Sequence, residues 1–309
     1  TPQEVAGMTE TWRPSKTGWP LAILDPACGS GSFLLGAYQY LLDWHRDYYV
    51  EDPKKWSTGK EPRLFEDRRG TWRLTTAERK RILLTNIYGV DIAIQAVEVT
   101  KLSLLLRVLE GEDADSVERQ LSLFHERALP DLDGNIKCGN SLIGPDFYHG
   151  RQLAIDDEES YRVNAFDWNA EFSDIMKSGG FDAVIGNPPY IRIQTLKQWA
   201  PAEVEFYKDH YRAAASGNYD IYVVFIEKGL QLLNPNGRLG YICPHKFFNA
   251  KYGEGIRRLI AEGQHLEHVV HFGDQQVFDG ATTYTCLLFL RGQEMHECDY
   301  RSVPSLSDW

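Results

Sequence analysis

The chain has 309 residues, of which 43% are hydrophobic, and a formal net charge of −11. This length and apolar content allow one large core, in one large domain or two modest ones, and exclude global disorder. The charge excludes a nucleic-acid-binding face over the whole surface, because phosphate neutralisation needs clustered Lys and Arg.

In chain order, the first strand is "LAILD" at 21–25, and "PACGSGS" then turns into a helix whose apolar face carries Leu34, Leu35, Tyr38, Leu41, Leu42 and Tyr48. Residues 50–74, rich in charge, Pro, Gly and Trp, break the rhythm as an insertion or long loop. Thr75 with Glu78 makes a capping box for a helix through "AERKRILLTN", and "IYGVDI" is a second strand ending near Asp91. An apolar helix over 93–110 stops at Gly111, and "NIKCG" at 135–139 is a third strand. Residues 144–180 form a polar excursion with a solvated acidic run, Asp156 to Glu159.

"FDAVIG" from Phe181 is the fourth strand, and Asp220 to Leu233 a helix closed by the turn "NPNG". "RLGYICP", "LEHVVHF" and "TTYTCLLFLRG" complete seven strands, with the helix "NAKYGEGIRRLIAEG" among them. Short strands alternating with longer helices predict an α/β fold, a doubly wound and mostly parallel sheet. The stretch after Arg291 lacks a pattern and is expected to begin another domain.

The five cysteines show no CxxC pair or Cys/His cluster of metal-binding spacing, so they read as reduced thiols with no metal. No apolar run approaches the roughly 20 residues that span a bilayer. The chain opens at Thr1 without Met or signal segment, and the expectation is a trimmed cytoplasmic protein with no membrane partner. A local basic face remains open, with "RKR" at 79–81, Arg68 with Arg69, and Lys246, Lys251, Arg257 and Arg258 as candidates. For any one cluster, solvated helix surface is the simpler reading.

In a doubly wound sheet, ligands sit beyond the carboxyl ends of the strands. In "DPACGSGSF", Gly29 and Gly31 let the backbone approach a ligand, and the helix that follows offers free amides. A dinucleotide fingerprint fails at Leu34, Asp91 lies 60 residues beyond Gly31 rather than roughly 20, and no GK[ST] follows for a phosphate-binding loop. A ligand with a ribose and no phosphate requirement is left. Asp91 can accept both ribose hydroxyls and Asn140 can pair with an adenine edge. Each also has a local reading, Asp91 as a helix cap and Asn140 as the closure of a turn.

"NPPY" at 187–190 follows the fourth strand directly. The Asn187 side-chain oxygen and the Pro188 carbonyl can both accept from one planar NH₂ group, on a loop stiffened by Pro188 and Pro189. Holding both N–H bonds favours a pyramidal nitrogen whose lone pair can attack, while Tyr190 offers a stacking face. An isolated Asx–Pro turn would mean little; here it shares a rim with the glycine turn.

Together, "DPACGSGSF", "GVDI", "GNSLI", "FDAVIGNPPYIR", "DIYVVFIEKGLQLLNPNGRLGYICP" and "VFDGATTYTCLLFL" resemble S-adenosylmethionine-dependent DNA adenine-N6 methyltransferases of the gamma motif order. The resemblance is closest to the methyltransferase region of type IIG restriction–modification enzymes. It implies a Rossmann-like methyltransferase domain over 1–291 with an antiparallel edge strand, and a tail, 292–309, that begins a target-recognition domain. It also implies S-adenosylmethionine as cofactor and S-adenosylhomocysteine as product. "TPQEVAGM" would close over the methionine part through Thr1 and Pro2. Asp25, Ala27, Gly29 and Gly31 would line the methionine end, Asp91 the ribose, Ile92 and Phe225 the adenine faces, and Asn140 the adenine amino edge, with Cys28, Phe33, Ser141 and Asn187 also against the cofactor. Asn187, Pro188, Pro189 and Tyr190 would hold an adenine flipped out of double-stranded DNA, with Phe278 on its other face. Family members often carry Asp in place of Asn140.

The rival reading is an N-methyltransferase acting on protein glutamine or an RNA base amino group, which presents the same planar NH₂. A reading of another class is a non-catalytic subunit that keeps the fold. Cytosine-C5 chemistry needs a Pro-Cys nucleophile, and only "ACG" and "ICP" occur. "PDLDGNIK" is a poor nuclease site, so any nuclease domain, like the module that reads base edges, is expected elsewhere in the polypeptide.

Overall fold

Three side chains without solvent exposure, Leu24, Val184 and Leu239, stand abreast in the middle of a β-sheet in the computed structural model. The structure describes residues 21–110, 130–149, 162–215, 217–278 and 283–305. In chain order the strands are β1 (Ile23–Asp25), β2 (Leu64–Glu66), β3 (Trp72–Leu74), β4 (Ile87–Asp91), β5 (Ile136–Cys138), β6 (Phe181–Gly186), β7 (Leu233–Pro244), β8 (Leu266–His271), β9 (Thr285–Arg291) and β10 (Asp299–Ser302). Eight of them form one sheet in the order β10-β8-β9-β7-β6-β1-β4-β5. β6 runs parallel to β1 and to β7, and β8 parallel to β10, while β9 is antiparallel to both β7 and β8.

The doubly wound, mostly parallel α/β architecture is the one the periodicity predicts. Two details differ. The sheet has eight strands rather than seven, because the patternless stretch after Arg291 supplies β10. Its four residues are exposed and held through the backbone ladder to β8, so no apolar alternation marks them. The antiparallel strand is internal rather than at the edge. β9, "TCLLFLR", buries five of its seven residues between two neighbours, as a near-continuous apolar run requires.

The described residues fall into two compact units, one of residues 28–89, 93–110 and 130–137 with 21–22, the other of 23–27, 90–92 and the described part of 138–305. In the first, helices Ser32–Val50, Thr76–Asn86 and Ile94–Leu109 carry most of the chain. Thr75 caps the second helix by accepting from the Glu78 amide at 3.3 Å. The buried Glu78 carboxylate, however, takes the Tyr49 hydroxyl at 2.6 Å and the Arg81 guanidinium instead of completing the reciprocal box. Residues 50–74, expected as an insertion or long loop, contain the short helix Pro53–Trp56 and the antiparallel hairpin β2–β3.

In the second unit the buried helix Tyr222–Leu232 leads straight into β7. Gly229 allows the two to pack, since a Cβ there would lie 2.5 Å from Leu239 Cδ1. The expected "NPNG" turn is absorbed into the strand as an irregularity, with Asn234 Oδ1 accepting from the Asn236 amide at 2.9 Å and the β6 register shifting beside it. Thr1, Pro2 and the acidic run 156–159 lie outside the described residues. Among the described residues no helix is long and apolar enough to cross a membrane.

Candidate active site

In the second unit, β1 ends on Asp25, whose side chain is 2% exposed and accepts from the Ala27 amide at 3.0 Å. Burial pushes its carboxyl up to about 7; the Ala27 bond opposes this and the Asp91 charge adds to it. The parallel neighbour β6 ends beside it on Gly186, at φ 149°, where a Cβ would lie 2.6 Å from Asp25 Oδ1. Only glycine fits both the backbone angle and the space. Across the other edge of β6, Tyr241 pairs in register with Gly186 and is fully buried. Its hydroxyl has no hydrogen-bond partner among the described residues, and burial, then the Asp25 charge, raise its pKa far above the ordinary phenol value.

Asp91 ends β4, with its carbonyl accepting from the Gly139 amide at 2.9 Å, and Ile92 beyond it is 53% exposed. After β5, the buried Asn140 does close a turn: its Oδ1 accepts from the Leu142 amide at 3.1 Å. The oxygen of the amide expected to read an adenine edge thus already serves the fold. Ser141 is a structural tie, its buried hydroxyl donating to the Pro26 carbonyl at 2.6 Å.

Beyond Gly186, Asn187 is exposed, Pro188 buried, and Pro189 and Tyr190 half-buried. The Tyr190 hydroxyl reaches two acceptors, Asn187 Oδ1 and the Ile242 carbonyl, the latter at 3.1 Å. Its ring meets Tyr222 edge to face, at 6.0 Å and 78°. Burial raises the Tyr190 pKa, so the phenol stays protonated. The segment that follows is pinned by Ile193 N–H to the Tyr219 carbonyl and Ile221 N–H to the Ile191 carbonyl, both at 2.9 Å. Phe225 is buried on the helix Tyr222–Leu232, and Phe278 is 37% exposed in the stretch between β8 and β9.

In the first unit, the Gly31 amide donates to the Cys28 carbonyl at 2.8 Å and closes the glycine turn. Gly31, at φ 85°, leaves no room for a Cβ, which would lie 2.8 Å from Thr100 Cγ2. Gly29, at φ 53°, faces open space at the corresponding position, and Thr100 Oγ1 holds its carbonyl at 2.8 Å. The helix Ser32–Val50 starts with no side-chain cap and no acidic residue in its first turn, so its amides are available to a ligand. Phe33 is exposed there, whereas Cys28 is buried, with its Sγ 3.2 Å from where a Gly89 Cβ would stand. The bare backbone at Gly29 and the uncapped helix fit an uncharged or carboxylate-bearing ligand end.

Sequence reasoning missed Gly186, Tyr241, Thr100 and Tyr222. Gly186 alone carried a signal, a glycine closing a strand immediately before the motif; the others act through partners distant in the chain.

Residues 85–278 match the Eco57I restriction-modification methylase family. The chain is 33% identical over 285 residues to the type II restriction enzyme and methyltransferase RM.Eco57I of Escherichia coli, covering 92% of this chain and 26% of that protein. It is 26% identical over 165 residues to the type II methyltransferase M.HincII of Haemophilus influenzae, covering 50% of this chain and 32% of the relative. The chain thus spans between about a quarter and a third of the length of these curated relatives. Among solved structures, the type IIL restriction-modification enzyme MmeI in complex with DNA superposes with a TM-score of 0.58 at 14% identity, over 99% of this chain and 35% of that one. A nuclease-deletion mutant of the type ISP enzyme LlaGI gives 0.57 at 15% identity, over 98% and 23%. At these identities the likeness is one of fold.

Proposed function

Because this chain belongs to the Eco57I restriction-modification methylase family, we propose that it moves a methyl group from S-adenosylmethionine to N6 of an adenine flipped out of double-stranded DNA. It does so within a restriction–modification or phage-defence system. Target recognition, and any nuclease, belong to other domains of the same polypeptide. The observation that carries the reading is the exposed Asn187 at the carboxyl end of β6, fixed by a Pro-Pro step and a tyrosine whose hydroxyl reaches its side-chain oxygen.

Bound S-adenosylmethionine supplies an electrophilic methyl group on a sulfonium. The chain's own residues do the positioning. Asp25, Ala27, Asp91, Ile92 and Asn140, all in one unit, offer contacts suited to such a molecule. Asn187 Oδ1 and the Pro188 carbonyl accept the two N–H bonds of the amino group, which turns its lone pair toward the methyl. The Tyr190 hydroxyl does not obstruct this, because when Asn187 is taken it keeps the Ile242 carbonyl as acceptor. The Tyr190 ring stacks on the extruded base and offsets part of the unstacking cost. The amino proton leaves to solvent.

The same acceptors would serve a glutamine side chain or an RNA base. Radiolabelled methyl transfer from S-adenosylmethionine to DNA, RNA and protein separates these readings. Label in duplex DNA, recovered as N6-methyladenine, is expected; label confined to protein overturns the assignment.

A further inference from the structure

The basic residues near the motif separate into two groups. Arg257 braces the turn His245–Phe248, donating to the Phe247 and Ala250 carbonyls, and Arg258 pairs with Glu254 at 2.9 Å. Lys246 and Lys251 are exposed, their side chains making no hydrogen bond or salt bridge among the described residues, and Arg192, two positions beyond Tyr190, is exposed too. Arg192 and Lys246 converge: the backbone of Arg192 bridges to Asp220, and the charges of both act on the half-buried Asp220 carboxylate. Neither forms a salt bridge with it among the described residues, and both stand exposed on a chain that is acidic as a whole.

The turn that carries Lys246 is also in register with the motif. Phe247, fully buried, lies edge to face with Tyr222 at 6.2 Å, and Tyr222 lies edge to face with Tyr190 at 6.0 Å. The Tyr222 hydroxyl meets that of Tyr252, next to Lys251, at 2.9 Å. The lysines are therefore held at a fixed offset from the tyrosine that would stack on the target base.

We propose that Arg192, Lys246 and Lys251 form a clamp for the DNA-backbone phosphates beside the flipped nucleotide. The inference rests on the methyltransferase reading above and extends it to the strand that carries the target. Tyr222 and Tyr252 are positioning residues that tie the clamp to Tyr190. Phosphate contacts of this kind fix register and carry no sequence information.

The test is binding of the protein to a short labelled DNA duplex over a series of salt concentrations, with S-adenosylmethionine binding followed in parallel by calorimetry. Lys246→Gln with Lys251→Gln is expected to reduce the slope of log affinity against log salt by about 0.9 for each lysine removed, and Arg192→Gln to reduce it by a similar amount. Arg258→Gln keeps the wild-type slope. An unchanged slope in the double lysine variant, with cofactor binding intact, overturns the clamp and leaves the methyltransferase reading standing. Failure of the wild-type protein to bind S-adenosylmethionine overturns that reading instead. Tighter binding of an RNA duplex of the same sequence, weakened by the same substitutions, overturns the assignment to DNA.

Discussion

The hydroxyl of Tyr190 donates to the side-chain oxygen of Asn187, the atom that the proposed chemistry needs as an acceptor for the target amino group. A second acceptor, the Ile242 carbonyl, lies 3.1 Å from the same hydroxyl. The acceptor is therefore occupied at rest and released by a small rotation of one O–H bond, without exposing an unpaired buried group.

This arrangement separates ring from hydroxyl. Tyr190→Phe keeps the stacking face and frees Asn187, so methyl transfer stays within a few-fold of wild type. Tyr190→Ala removes stacking of about 1–3 kcal/mol, and the KM for DNA rises by roughly one to two orders of magnitude. Steady-state kinetics on both variants check the distinction; equal losses would contradict it.

Asn187→Ala removes one of the two acceptors for the target amino group. The rate of transfer is expected to fall by at least about 10²-fold, while S-adenosylmethionine binds in calorimetry within a few-fold of wild type. Loss of cofactor binding in step with activity would mean that Asn187 serves the cofactor and not the acceptor nitrogen.

Gly186→Ala forces a methyl group to 2.6 Å from the Asp25 carboxylate, at a backbone φ of 149°. Overpacking of this kind costs about 1–3 kcal/mol, and the strained backbone adds to it. Thermal unfolding should move down by several degrees, and activity should fall further than stability because β6 leads directly into Asn187.

Asp25 makes stability depend on pH. Its carboxyl is raised to about 7 in the folded chain against 3.8 for the free group, so between these values the folded state binds more protons than the unfolded one. The contribution is fully present below about pH 4, fades as pH rises, and is gone above about pH 7, a span on the order of 4 kcal/mol. Asp25→Asn should flatten this part of the profile and unfold at higher temperature than wild type at pH 8, although cofactor affinity falls. Calorimetric melts of the two proteins across pH 4–8 would show the curves diverging; parallel curves would exclude Asp25 as the cause.

The thiols divide by burial. Cys298 is exposed and Cys138 half-exposed, while Cys28, Cys243 and Cys286 are buried. Cys243 lies opposite Cys286 in the β7–β9 pairing, and the contact between them, together with burial, lifts the Cys243 pKa well above the ordinary thiol value. A thiol reagent at neutral pH should label Cys298 first and the buried three only on unfolding, as mapped by mass spectrometry.

Features local in the chain could be read from the sequence. Strands with short apolar runs, the Thr75 cap, the glycine turn and the run from Asn187 to Tyr190 each depend on residues a few positions apart, and the structure has them where the pattern puts them. Features made by distant partners could not. Nothing near Gly186 says that Asp25 occupies the space beside it, and nothing near Tyr190 says that the Ile242 carbonyl accepts from its hydroxyl. β10 has no alternation because both its faces meet water, and the internal position of β9 follows from pairing with β7 and β8 rather than from its own residues.

The reversed direction of β9 has a consequence for how such a protein can diversify. Pro244, the last residue of β7, lies opposite Thr285, the first of β9, and His271, the last of β8, lies opposite Cys286. The connection that holds Phe278 therefore departs from and returns to the end of the sheet where Asn187 stands. Residues can be added to or removed from that connection without changing a single strand register.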